Sequence, residues 1–219
     1  RTFYPSRFTA VHRQPESPAF AEFMEAFGFA VDDVPGDLKF EGEADGYPIG
    51  DPNDPTWLFT YGFRSDPDVG DWLETRVGRP FTRVELQDPR FYHGDCLVCT
   101  LGKEIMVWEP GLEKGAREKL EPLADIIWLE DDDALDFIGN SFYAETDSND
   151  RLLFSPVAIR QNLVDQIKEF GVTVVPVDIS EFFTKGGGGP KCLVFNLGRV
   201  TAQTDFQRSR QVSAWRETI

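Results

Sequence analysis

SPVAIRQNLVDQIKEFGVTVV, residues 155–175, carries the pattern that decides the fold. Ser155-Pro156 reads as a helix N-cap followed by Pro at the first helical position, where a missing N–H costs nothing. Leu163, Val164, Ile167 and Phe170 recur at helical spacing and predict one apolar face. Gly171 stands where a left-handed C-cap glycine belongs, and Val172–Val175 predicts a strand rich in β-branched residues. The same order occurs in SPAFAEFMEAFGFAV, residues 17–31. There Ser17-Pro18 open, Phe20, Phe23, Met24 and Phe27 form the face, Gly28 closes, and Phe29–Val31 predicts the strand.

Two weaker copies lie between. One helix is predicted from about Asp68 to Val77 before a strand over Phe81–Leu86, the other from about Leu112 to Leu123 before Ile126–Leu129. Further strands are predicted over Trp57–Tyr61, Cys96–Leu101, Glu104–Trp108, Phe137–Tyr143, Leu152–Phe154 and Leu193–Leu197. Each unit reads strand, strand, helix, strand, with a period of about 50 residues, which fits a propeller-like array of α/β modules. The first helix has no strand pair before it, so a closed ring requires strands preceding Arg1. With a start at Arg1 in place of Met, residues 1–219 read as a single domain with an incomplete N-terminal module.

Hydrophobic residues make up 41% of the 219, enough for a core. Lys and Arg total 22 against 38 Asp and Glu, a net charge of −16. That balance argues against nucleic acid and anionic membrane, both polyanions, and favours a cationic partner. No apolar run reaches the ~18 residues of a bilayer span. Three cysteines do not make a disulfide scaffold, which points to a reducing, cytoplasmic compartment. A homodimer stays open. The acidic loops Asp51–Pro55, Asp66–Asp68, Glu130–Asp133 and Asp147–Asp150 read as solvated charge. None has the glycine and glutamate positions of a calcium loop.

Several residues are candidates for chemistry. Cys192 follows the glycine run Gly186–Gly189 and opens the apolar Leu193-Val194-Phe195. A thiol at such a loop-to-strand junction, with Lys185 and Lys191 near, suits a thiolate; the alternative is a structural cysteine beside a loop. The run is not a phosphate-binding loop, because no Gly-Lys-Ser/Thr follows. His93 lies two residues from Asp95, a spacing that puts both side chains on one face of an extended segment; the alternative is a turn histidine. Glu41, Glu43 and Asp45 place three carboxylates among small residues, suited to orienting a histidine or gripping a cation, or simply to a surface turn. Arg64 follows a strand end and can clamp a carboxylate or form a surface ion pair. Cys96 and Cys99 read as packing residues, because no second cysteine pair completes a zinc site. His12 reads as surface.

The ordered series Phe40–Asp45, Gly62–Asp66, Phe91–Asp95 and Gly187–Cys192, with the segment Tyr4–Glu16, resembles the guanidine-modifying (pentein) superfamily over essentially the whole chain. The likeness is strongest to bacterial-type dimethylarginine dimethylaminohydrolases and amidinotransferase-like proteins. The resemblance implies an α/β propeller of ββαβ modules with pseudo-fivefold symmetry. It implies Cys192 as nucleophile, His93 as general acid/base and Glu41 as the acid orienting His93, with Glu43 as the alternative. It also implies Asp95 and Asp45 as substrate-binding carboxylates and Arg64 as a ligand of the substrate carboxylate. The implied reaction hydrolyses the guanidinium or amidine group of arginine or a methylated arginine through a covalent thiouronium, without cofactor or metal. Amidino transfer to an amine and a non-catalytic binding role are the alternatives. Two departures stand out. Gly94 replaces the usual Leu between His and Asp and is expected to loosen that segment, and the family's N-terminal substrate-binding segment is absent from this sequence.

Overall fold

Short hairpins, each followed by a helix and a third strand, repeat along the computed structural model, which describes residues 1–51 and 53–195. The chain divides into two units: Arg1–Gly42 with Phe195, and Glu43–Val194. In the first, β1 (Thr2–Phe3) and β2 (Ala30–Val31) pair in parallel on either side of helix α1 (Glu16–Ala26). One strand therefore does precede the first helix, too short to show in the hydrophobic pattern. Helix α1 starts at Glu16, so Ser17 and Pro18 lie in its first turn rather than at its cap. The Ser17 hydroxyl donates to the carbonyl of Ser6, and Pro18 sits where no intrahelical N–H is needed.

The second unit contains three complete modules. The first comprises β3 (Gly46–Ile49), β4 (Thr56–Tyr61), α2 (Val69–Val77) and β5 (Phe81–Glu85). The second comprises β6 (Val98–Thr100), β7 (Ile105–Val107), α3 (Ala116–Leu120) and β8 (Ile126–Trp128). Helix α4 (Asp131–Leu135) leads to the third: β9 (Phe142–Glu145), β10 (Arg151–Pro156), α5 (Gln161–Glu169) and β11 (Val172–Val177). In each sheet the middle strand pairs antiparallel with the first and parallel with the third. The parallel pair needs a crossover, which the helix supplies. Helix α6 (Ser180–Gly186) follows.

The middle strands form the core. Leu58, Phe59, Ile105, Met106, Val107 and Leu153 are almost completely inaccessible, and Leu163 and Ile167 of α5 join them. Gly78 and Gly171, with φ of 71° and 74°, supply the left-handed residue that stops α2 and α5 so that the chain can turn at once into β5 and β11.

Four local expectations change. Ser155-Pro156 ends β10 instead of capping α5. Ser155 is wholly buried, with its hydroxyl 3.0 Å from that of Ser141, and its backbone is in register with Pro176. The predicted strands Cys96–Leu101 and Phe137–Tyr143 both begin later, because a one-turn 3₁₀ helix precedes each: Gly94–Cys96 and Ile138–Asn140. Cys192 opens no strand. It lies inside a third such turn, Pro190–Leu193, and the remainder of the predicted strand Leu193–Leu197 runs outside the described residues. Glu130–Asp133 is not a free loop. It caps and begins α4, where Asp133 is buried against Arg160 at 2.6 Å. A fourth 3₁₀ turn, Gly42–Ala44, precedes β3.

Candidate active site

These short turns carry the chemistry. Asp45 follows the turn before β3, Asp95 lies in the turn before β6, Asn140 ends the turn before β9, and Cys192 lies in the turn after α6. A one-turn helix is stiff enough to fix a side chain and too short to bury it in a helix face.

Asp45 is completely inaccessible. One carboxylate oxygen accepts from the Thr60 hydroxyl and the Gly94 N–H, each at 3.0 Å. The other accepts from the Ser65 hydroxyl at 2.7 Å and faces His93 Nδ1 at 3.1 Å. With all these donors converging on it, Asp45 favours the His93 tautomer that carries its proton on Nδ1. Within this unit Asp45 is thus the carboxylate that meets His93. Glu43, the alternative for that role, is taken by an ion pair with Lys191. Glu41 belongs to the other unit, where it is buried and accepts the N–H of Thr9 at 2.9 Å.

His93 is extended, with φ −127° and ψ 152°, and the chain then winds into the turn containing Asp95. The pair is brought together by this change of conformation and not by strand alternation. Gly94 is packed tightly. A Cβ there would stand 2.1 Å from Thr60 Oγ1 and 2.6 Å from its Cγ2. The missing side chain makes room for Thr60 and lets the Gly94 N–H reach Asp45, so the segment is not loosened.

Asp95 is buried, and its carboxylate has one hydrogen-bond donor among the described residues, the weak Cys96 thiol at 3.7 Å. Burial raises its pKa to about 6; the charges of His93 and Lys191 act in the opposite direction, and Asp45 adds to the rise. A buried carboxylate short of donors is a site prepared for a cationic donor.

Cys192 is exposed as a residue, yet its thiol is pushed up to about 11, first by partial burial and then by the negative charge of Asp95. Asn140, the Gly189 backbone and Lys191 act in the opposite direction, and the Lys191 ammonium is ion-paired with Glu43. Lys185 pairs instead with Glu181 within α6 at 2.5 Å. Two glycines of the run are required by space: a Cβ on Gly188 would meet Cys192 Sγ at 2.9 Å, and one on Gly189 would meet the Asn140 carbonyl at 2.8 Å. Arg64 is half-buried, with its guanidinium 4.4 Å from the centre of the Tyr92 ring, beside His93. Cys96 and Cys99 are buried in the core, and burial raises both thiols. His12 is exposed.

The one functional candidate the sequence did not suggest is Asn140. It is fully buried, donates from Nδ2 to the Asp95 carbonyl at 3.0 Å, and accepts the Gly189 N–H at Oδ1 at 2.8 Å. Its signal was positional: it ends the turn that opens the third module, as Asp95 sits in the turn that opens the second.

Repeated ββαβ modules whose opening turns carry a carboxylate-held histidine, a second buried carboxylate and a cysteine define a modular α/β class. Comparison with known proteins carries this further: the chain belongs to the guanidine-modifying (pentein) superfamily. No protein-family model matches it. It is 33% identical over 201 residues to the bifunctional arginine dihydrolase/ornithine cyclodeaminase ArgZ of Synechocystis sp., covering 88% of this chain and 26% of that protein. It is 32% identical over 200 residues to the N(G),N(G)-dimethylarginine dimethylaminohydrolase of Mycobacterium tuberculosis, covering 88% and 60%. The chain thus spans less than two thirds of either relative. Among solved structures, a variant of the ArgZ N-terminal domain covalently bound to a reaction intermediate is 30% identical. It superposes with a TM-score of 0.75, covering 87% of this chain and 68% of that one. Among the described residues, no helix is long and apolar enough to cross a membrane, and no group of three or more His, Cys, Asp or Glu is placed to hold a metal.

Proposed function

We propose that this chain carries a cysteine-dependent hydrolase site for the guanidinium group of arginine or a methylated arginine, yielding citrulline and ammonia or an alkylamine. The observation that carries this reading is the Asp95 carboxylate, buried, short of donors, and acting electrostatically on both His93 and Cys192. A guanidinium supplies the planar donors and positive charge that such a carboxylate lacks. The relatives' names point to the same chemistry: one is an arginine dihydrolase, the other a dimethylarginine hydrolase.

In the reaction proposed, the substrate cation binds Asp95 and offsets the charge that holds the Cys192 thiol protonated. The thiol proton passes to His93 Nε2, and the sulfur attacks the guanidinium carbon, forming a C–S bond. His93 returns that proton to the departing nitrogen as its C–N bond breaks, leaving a cationic thiouronium. Water then attacks the same carbon and gives one proton to His93. The C–S bond breaks, and the sulfur leaves with its electron pair and takes up the remaining hydroxyl proton as the carbonyl forms. His93 releases its proton to the freed amine or to solvent, restoring the starting thiol and neutral imidazole. Asp45 keeps the ring oriented and stabilises the imidazolium formed twice in the cycle. Glu41 and Arg64 keep, within this proposal, the roles the family resemblance gives them. The free cysteines suit a cytoplasmic setting.

The test is product analysis by mass spectrometry. The protein and its Cys192→Ser variant are incubated with arginine, methylated arginines and agmatine, with and without glycine as acceptor. Citrulline or the corresponding urea, lost in the variant, supports hydrolysis. A guanidino product formed only with acceptor would replace hydrolysis by transfer, and no cysteine-dependent product with any substrate would overturn the reading.

A further inference from the structure

Three 3₁₀ turns from separate parts of the second unit meet at one side chain. Asn140 lies 45 residues from Asp95 and 49 from Gly189, and bonds to the backbone of both. Its own backbone is clamped on both sides. A Cβ on the preceding Gly139 would fall 2.4 Å from the Cys96 carbonyl, and one on Gly189 would fall 2.8 Å from the Asn140 carbonyl. Gly189, which Asn140 holds, accepts at its carbonyl the Cys192 N–H at 3.2 Å, and Asn140 acts on the Cys192 thiol in the sense that favours the thiolate. An Asn amide has two N–H groups and two acceptor lone pairs. One N–H is used on Asp95, Oδ1 is used on Gly189, and the second N–H remains for sulfur.

We propose that Asn140 is the positioning residue of this site, fixing the Asp95 segment against the Cys192 turn and donating its second amide proton to the cysteine sulfur. The inference rests on Cys192 being the nucleophile, and it adds to that reading a donor outside the histidine and carboxylate set. Glycine alone would bring the turns this close, but it would leave the Asp95 carbonyl and the Gly189 N–H without partners in a buried place. An apolar side chain would leave the same two groups orphaned. Asn is a side chain that offers donor and acceptor in one plane, as the two backbone groups require.

The groups facing the Cys192 thiol are Asp95, Lys191, Tyr92, Cys96 and Asn140. Replacing Asn140 by Asp keeps shape and the acceptor, removes both donors, and adds a second negative charge beside the sulfur. Asn140→Ala removes donors and acceptor without adding charge. The readout is the iodoacetamide alkylation rate of the intact protein between pH 7.5 and 9.5. Mass spectrometry follows the peptide containing Cys192, and the buried Cys96 and Cys99 serve as internal controls. This measurement needs no turnover, so it stands or falls apart from the substrate assignment.

The expected result is a rate at fixed pH lowered about tenfold in Asn140→Ala, the equivalent of one pKa unit in thiolate population, and lowered further in Asn140→Asp. A protein that merely lost packing would expose the thiol and react faster, so the direction of change separates positioning from structure. If Asn140→Ala does not fold, Asn140→Asp and Gly189→Ala decide; the latter presses its methyl on Asn140 from the other side and is expected to slow alkylation severalfold. Unchanged or faster alkylation in the folded variants overturns the proposal.

Discussion

Neutralising Asp45 tests the site where its structure is most specific. Asp45→Asn preserves volume and can keep the bonds from Thr60 and the Gly94 N–H on its remaining oxygen. Its new NH₂ must then face the Ser65 hydroxyl and His93 Nδ1, where the carboxylate had accepted. Ser65 can rotate its hydroxyl and accept; His93 can accept only by moving its proton from Nδ1 to Nε2. The ring then presents N–H where the mechanism needs a lone pair. Two hydrogen bonds to a charged group are weakened, at roughly 1.5–3 kcal/mol each before compensation by Ser65. A net loss of about 2–4 kcal/mol follows, or a fall of about 5–15 °C in Tm for a chain of this size. Turnover should fall by about 10³–10⁴, the effect of leaving an imidazole in the wrong tautomer. Citrulline formation and thermal unfolding measure the two losses. The tautomer itself is visible by ¹⁵N NMR, because the chain has two histidines and the exposed His12 is an internal reference. A variant that keeps Nδ1 protonated, or turns over within threefold of the parent, would refute this account of how His93 is held.

Further outcomes follow from the same geometry. The Asp95 carboxyl is raised from 3.8 to about 6, chiefly by burial, so its ionisation costs stability as pH rises from about 4 to 6, and the full cost of up to about 3 kcal/mol persists above that window. Asp95→Asn should therefore raise the urea midpoint at pH 7.5 while abolishing guanidine turnover, and the gain should vanish near pH 4. In the parent protein, kcat/KM for a guanidinium substrate should climb through about pH 6 as Asp95 ionises, and a flat profile from pH 5 to 7 would contradict its role as the cation ligand. Gly94→Ala should cost about 2–4 kcal/mol, because its methyl would lie 2.1 Å from Thr60 Oγ1; adding Thr60→Ala should recover most of that loss in denaturant titrations. Breaking the Glu43–Lys191 pair with Glu43→Gln frees the ammonium beside Cys192, and alkylation of that thiol should speed up severalfold at pH 8.

The repeating unit was legible because its signals are local. Apolar spacing in α2 and α5 and left-handed glycines at 78 and 171 each depend on a few neighbouring residues. The boundaries were less legible. Ser155-Pro156 has the composition of a helix start, but parallel pairing with Pro176 and Val177, some twenty residues on, keeps it in a strand. The 3₁₀ turns that carry the candidate residues left no periodic trace, since one turn is shorter than the window in which periodicity can be read. For that reason the local pattern around Cys192 and Asp95 reads as extended.

The sequence by itself determined the modular α/β architecture and the residue types of the candidate site: a cysteine after a glycine run, a histidine two residues from an aspartate, and an acidic motif. Only the tertiary structure decided which carboxylate of that motif holds His93 in the second unit, that Glu43 belongs to Lys191, that Gly94 is a tight contact, and that Asn140 joins Asp95 to the Cys192 turn. The reason is one of range. Helices and hairpins follow from backbone hydrogen bonds and burial over a few residues, whereas these pairings span 34 to 148 positions and depend on how closely the modules' opening turns approach.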